Sequence, residues 1–163
     1  MKIIKSWYEL VSTLFWLGRL GKMPGTLGSA AALLILLALR GVHPLALLAV
    51  IAVGGVASDL YARERGQTDP QDVIIDEVAG YWVSMVFIEA TLLNALVAFC
   101  LFRVIDIVKP FPVDALEKLP GGVGIMADDI CGGIIVNLFV RAISWFLFAG
   151  GLGAVGAYFG VSA

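Results

Sequence analysis

Three acidic stretches interrupt an otherwise apolar chain: Asp76 and Glu77 in "VIIDEVAG", Asp106 in "FRVIDIVKPFP", and Asp128 and Asp129 in "IMADDICGG". Charge is costly inside a bilayer, so carboxylates beside apolar runs need a purpose. Adjacent residues on a helix point about 100° apart. One member of each pair can therefore face a helix bundle while the other faces a loop or caps the helix start. Capping accounts for one carboxylate of a pair and leaves the second unexplained. Arg103, Asp106 and Lys109 recur at i, i+3 spacing, on roughly one helix face, before Pro110 and Pro112 stop the helix. An ion pair within the helix is the plain account of them. Two cations beside one carboxylate also resemble a phosphate clamp, with Arg for bidentate recognition and Lys for compact charge.

Clustered carboxylates repel one another unless they are protonated or bridged by a metal. Oxygen donors without a usable His or Cys favour Mg²⁺ over zinc or copper. His43, the sole histidine, is assigned to a distant turn, and Cys100 and Cys131 sit in apolar runs as small buried hydrophobes. A carboxylate-held metal with Lys and Arg close by suits phosphoryl transfer. "KMPGTLGS" adds a Gly-flanked turn at a helix start, where backbone N–H groups with Thr26 or Ser29 could meet phosphate oxygens, although Pro-Gly is also ordinary turn punctuation. "GGVG" at 121–124 reads as a source of loop flexibility. There is no Cys-x5-Arg loop, no Walker lysine loop, and no Ser or Cys nucleophile with a positioned His. Metal-assisted attack by water, or an Asp nucleophile, remains.

The elements that must position these groups are helices in a membrane. The 163 residues are 60% hydrophobic and 15% charged, with a mean hydropathy of +0.96. A soluble domain is nearer half apolar and a quarter charged. The net charge of −2 gives no bulk attraction to nucleic acid. Apolar runs at 30–39, 45–57, 78–88, 96–108 and 130–150 predict an all-α integral membrane bundle of about five spans. Residues 6–17, with Trp and Lys flanks, predict an N-terminal interfacial helix, and no cleavable signal peptide is evident. "SDLYARERGQTDPQD" and "KPFPVDALEKLPGGVGIMADD" read as two polar loops, and the chain as one domain over 1–163. Lys2, Lys5, Arg19, Lys22, Arg63, Arg65, Lys109 and Lys118 fall on one face and Arg40 alone in the opposite turns, which predicts a cytoplasmic N-terminus and cytoplasmic polar loops. Arg141, inside the last span, needs a partner or a polar cavity. With alternating spans, Thr26, Asp76, Glu77, Arg103, Asp106, Lys109, Asp128 and Asp129 all reach one membrane depth and could line one pocket.

"MPGTLGS", "IIDEVAGYWVSM", "FRVIDIVKPFPV" and "GGVGIMADDICGG", in this order and at these separations, resemble bacterial phosphatidylglycerophosphatase A. The likeness covers roughly residues 21–141. It implies a multi-pass enzyme of the bacterial inner membrane, its active site facing the cytoplasm, that removes the terminal phosphate of phosphatidylglycerophosphate with Mg²⁺. Asp76, Glu77, Asp106, Lys109, Asp128 and Asp129 are the functional positions it implies. In the resulting mechanism Asp76, Glu77, Asp128 and Asp129 supply Mg²⁺ ligands or the base. Arg103 and Lys109 bind the phosphomonoester, Asp106 orients them or acts as base, and Thr26 or Ser29 contacts phosphate. Membrane lipids are the expected surroundings, nucleic acid is not a partner, and a homo-oligomer is left open. The rival from another class is a small cation or proton transporter built on the same carboxylates; it predicts polar residues at mid-membrane depth, where only Asn137 and Arg141 lie.

Overall fold

The computed structural model describes residues 7–149, so Lys2, Lys5 and the Gly/Ala-rich tail lie outside the described residues. Every regular element among them is helical, as the apolar runs predict. Helix α1, Trp7–Ser12, leads through left-handed residues Leu14, Phe15 and Trp16 into a 3-10 turn, Leu17–Arg19. Helix α2, Pro24–Leu39, starts with proline at its first turn, where a missing N–H costs nothing. A four-residue turn leads to α3, Pro44–Arg65, whose first turn is capped by the exposed His43 side chain accepting from the Leu45 N–H at 3.3 Å. Then come α4, Ile75–Met85; α5, Leu92–Val108; the single turn α6, Val113–Leu116; and α7, Gly121–Ala149.

Two stretches, Pro44–Arg65 and Gly121–Phe146, are long and apolar enough to cross a bilayer, with mean hydropathies of 1.9 and 1.8. Helix α2 has 16 residues, α5 has 17 and α4 only 11. The expected count of about five spans is therefore not supported. The N-terminal segment also differs from a free amphipathic helix. Helix α1 packs on α3, Ser12 and Thr13 are fully buried, and buried Glu9 takes an ion pair from Arg19 at 2.6 Å.

Helix α4 is the centre of the bundle. All of its residues except Asp76 are buried, and the helix touches α2, α3, α5 and α7. Beyond its acidic first turn the helix is largely apolar on all sides, which suits such a place. Its polar groups are tied to its neighbours: the Tyr81 hydroxyl donates to the Ala95 carbonyl at 2.8 Å, and the Trp82 indole N–H to the Ala32 carbonyl at 3.1 Å. Small residues set how closely it meets α7. A Cβ on Gly80 would stand 2.5 Å from the Asp129 carbonyl oxygen, and one on Gly133 would stand 2.1 Å from the Gly80 carbonyl oxygen. Backbones in contact need glycine at the crossing.

The far end of α4 shows why Asn137 and Arg141 lie inside an apolar helix. A helix end leaves carbonyls without partners. The Asn137 amide donates to the carbonyls of Val83, Ser84 and Val86 at 3.0–3.2 Å. Arg141 donates to Asn137 Oδ1 at 2.8 Å and to the carbonyls of Val86 and Phe87 at 3.2 Å each. The polar partners that Arg141 requires are the end of a neighbouring helix.

Candidate active site

Contacts between α4 and α7 advance together from Gly80 with Asp129 to Val86 with Arg141, so the two helices run parallel. Helices α3 and α7 run antiparallel, since Gly122 meets Asp59 and Gly55 while Met126 meets Gly54. The starts of α2, α4 and α7 therefore gather with the ends of α3 and α5. At that end a cavity of about 680 Å³ is lined by Asp76, Glu77, Asp106, Lys109, Asp128 and Asp129, with Lys22, Pro24, Gly25, Asp69, Glu117 and Lys118 among the other wall residues. The convergence expected of the separate motifs is present for all five candidate carboxylates and for Lys109.

Each group is held differently. Asp76 and Glu77 stand in the first turn of α4, where the positive end of the helix dipole favours anions. Asp76 accepts from the Glu77 backbone N–H at 2.9 Å. Both Glu77 oxygens accept from Arg103 Nη1, at 3.0 and 2.8 Å, and the same nitrogen pairs with Asp106 at 3.0 Å. Arg103 is thus committed to two carboxylates and does not line the cavity. Lys109 pairs with Asp128 at 2.9 Å and with Glu117 at 3.0 Å. Burial alone would favour its neutral amine, but the hydrogen bonds to Asp128 and Glu117 outweigh it and raise its affinity for the proton. Asp129, 6% exposed, has a carboxylate with neither hydrogen bond nor ion pair among the described residues.

Seven carboxylates line this cavity (Asp69, Asp76, Glu77, Asp106, Glu117, Asp128 and Asp129) against Lys22, Lys109 and Lys118. A phosphomonoester dianion entering it would be repelled without further positive charge. Among the described residues, no three Asp, Glu, His or Cys side chains are gathered as a ready-made metal clasp. The donors nevertheless suit Mg²⁺ in kind: all are hard oxygens, and buried Asp129 lacks a partner among the described residues.

Several expectations are corrected; Cys100 is exposed and Cys131 only partly buried, so neither is the buried hydrophobe expected of it. Ser29 is fully buried, and its hydroxyl donates to the Gly25 carbonyl at 2.7 Å, so it is turned into the bundle. Thr26 does not line the cavity either; Gly25 does. A Cβ there would lie 2.1 Å from Glu77 Oε1 and 3.2 Å from Arg103 Nη1, so the motif's glycine is the space that this ion pair fills. "GGVG" is no flexible loop but the first turn of α7, beginning well before Asp128. Asp59 supports that start, its Oδ1 accepting from the Gly122 N–H at 3.1 Å. Asp128 and Asp129 are consequently interior to a helix, and capping does not explain them. Lys22, Asp69 and Glu117 were missed as wall residues because they occupy loops, where no periodicity points inward.

Beside the cavity a second network ties the N-terminal segment down. Asp72 accepts from Tyr61 and from Arg19 Nε at 3.1 Å, and Arg65 approaches it at 4.0 Å. Burial works against the Asp72 charge, yet the hydrogen bonds from Tyr61 and Arg19 prevail and hold the carboxyl below its ordinary range.

The chain is similar to known proteins over most of its length. The family model described as phosphatidylglycerophosphatase A matches residues 10–144. A phosphatidylglycerophosphatase A of Haemophilus influenzae is 32% identical, over 85% of this chain and 90% of its own length. One from Escherichia coli is 30% identical, over 83% of this chain and 81% of its own. A Bacteroides thetaiotaomicron protein named "Putative phosphatidylinositol-3-phosphatase" is 30% identical, over 85% of this chain and 94% of its own. No solved structure matches the chain. The chain belongs to the phosphatidylglycerophosphatase A family.

Proposed function

We propose that the chain hydrolyses the terminal phosphomonoester of phosphatidylglycerophosphate, giving phosphatidylglycerol and inorganic phosphate. One observation carries this reading: in a member of this family, carboxylates from three separated motifs line one cavity together with Lys109. Water attacks phosphorus in line, the bond from phosphorus to the glycerol oxygen breaks, and that oxygen leaves as the alcohol after taking a proton. Lys109, with Lys22 and Lys118 on the same wall, draws in the phosphate oxygens. Arg103 acts one step back, holding Glu77 and Asp106 in place. Asp129, whose carboxylate has no partner among the described residues, is suited to take the proton of the attacking water or to hold a cation. In this proposal Asp76, Asp128 and Asp129 with Glu77 would hold Mg²⁺, which would add positive charge to that of the three wall lysines.

The whole chain acts as one membrane-embedded domain. In this reading the cavity end lies at the cytoplasmic face of the inner membrane, a placement supported by Arg19, Lys22, Arg63, Arg65, Lys109 and Lys118 near that end against Arg40 and Arg141 at the other. The transporter reading loses its main support, since Asn137 and Arg141 are occupied in closing the end of α4. The test is phosphate release by purified protein from phosphatidylglycerophosphate in mixed micelles, with Mg²⁺ and then with EDTA, beside phosphatidylinositol 3-phosphate. Release from the former alone, lost with EDTA, is the expected result. Release undiminished by EDTA would remove the metal, and preference for the inositol lipid would reassign the substrate.

A further inference from the structure

A second cavity, also of about 680 Å³, runs between α3 and α7, with walls that include Ile51, Ala52, Val56, Met126, Ala127 and Ile130. It is as apolar as the first cavity is charged. Gly121 lines both, so the apolar groove and the carboxylate cavity adjoin at the start of α7. Its floor is backbone: a Cβ on Gly122 would stand 2.1 Å from the Gly55 carbonyl oxygen, so α3 and α7 touch there. At its mouth Arg63 pairs with Asp59 at 2.9 Å, which marks where apolar lining gives way to charge.

We propose that this groove holds one acyl chain of the phospholipid whose head group enters the carboxylate cavity, an inference that rests on the phosphatase reading. Three observations select that occupant. The walls belong to the two helices long and apolar enough to cross a bilayer, so with the chain in a membrane the groove's open side would face hydrocarbon. At 1.5 Å per residue, wall residues Ile51 to Arg63 cover about 18 Å and Gly121 to Ile130 about 14 Å. That is roughly half of a ~30 Å hydrocarbon core, the depth of one leaflet. Finally, a lipid lying in that leaflet with its tail in the groove presents its head at Gly121, where the cavity begins. The substrate is thereby held at both ends without leaving the membrane.

The experiment compares two substrates bearing the same head group, diacyl phosphatidylglycerophosphate and its deacylated, water-soluble counterpart. Val56 is half exposed on the groove wall and outside the catalytic machinery, so Val56→Trp fills the slot from its open side. The expected result is a fall in kcat/KM of about tenfold or more on the diacyl lipid, the scale on which apolar pockets discriminate, with the deacylated compound unchanged. An equal fall on both, or none on the lipid, overturns the proposal. Ala127→Leu repeats the test with a smaller intrusion if Val56→Trp does not fold. Photolabelling of the unaltered protein in vesicles of phosphatidylglycerol with a diazirine on one acyl chain gives a readout independent of turnover. Adducts concentrated on Ala52, Met126 and Ile130 support the groove; adducts spread evenly over Leu34, Leu48, Leu138 and the other exposed apolar positions overturn it. Efficient Val56→Cys cross-linking between copies, with the groove unlabelled, assigns it to a second copy and also overturns it. Failure of the unaltered protein to release phosphate from either substrate would refute the phosphatase reading, while the labelling still decides whether a tail occupies the groove.

Discussion

The two ends of α4 both meet polar residues of α7, yet they are built on opposite terms. At the far end every donor of Asn137 and Arg141 described above is matched to a carbonyl or to the other side chain. At the near end carboxylates outnumber the cations, and Asp129 has no partner among the described residues. A satisfied polar cluster in an apolar setting stabilises a fold, whereas an unsatisfied one costs stability. A protein that closes one end of a helix so fully and leaves the other charged and open is keeping the open end for something that binds.

Asp129→Asn breaks the near end most sharply. Phosphate release is expected to fall by about 10²–10⁴-fold, the range for a positioned acid or base. The unfolding temperature should hold or rise, since an unpartnered buried charge is removed. Full activity would take Asp129 out of the site. Gly133→Leu attacks what joins the two ends. Its side chain must push against the Gly80 backbone, at a cost of about 1–3 kcal/mol or more for overpacking. Activity and thermal stability should fall together, and loss of only one would show that the crossing does not register the acidic pairs. Asn137→Leu tests the far end alone. Orphaned carbonyls should lower stability by about 1–3 kcal/mol, with turnover per folded molecule nearly unchanged in an assay normalised to folded protein.

The smallest effect lies outside both ends. The Asp72 carboxyl is held low by Tyr61 and Arg19, so its contribution to stability is present above the unfolded value of about 3.9 and is lost as pH falls through the lower folded value. Acid titration followed by tryptophan fluorescence should show the N-terminal segment loosening only below about pH 4. Asp72→Asn should remove that step, and an unchanged acid profile would exclude Asp72 as its origin.

The acidic motifs and the direction in which they point were legible from spacing, because i, i+3 positions and helix-end charges obey local rules. Helix lengths were not. Gly121, Gly122 and Gly124 have poor intrinsic helix propensity, and α7 begins there only because Asp59 and the close approach to Gly55 support it. Helix α4 stops at Met85, although apolar residues continue beyond it, because α7 supplies partners for its last carbonyls. Ser29 shows the same limit at one residue: its type suits phosphate, but its hydroxyl is spent on Gly25. In each case the missing information is the neighbouring helix.

The closure of α4 by Asn137 and Arg141 also bears on biogenesis. Eleven residues cover only about 16 Å, half of a bilayer's apolar core, so α4 cannot enter as an independent stable span while the ribosome is still making the chain. Its final carbonyls find their donors only after residue 141 has emerged. Helix α4 must therefore dock late, and chains halted before Asn137 should leave residues 75–85 open to protease while full-length chains protect them.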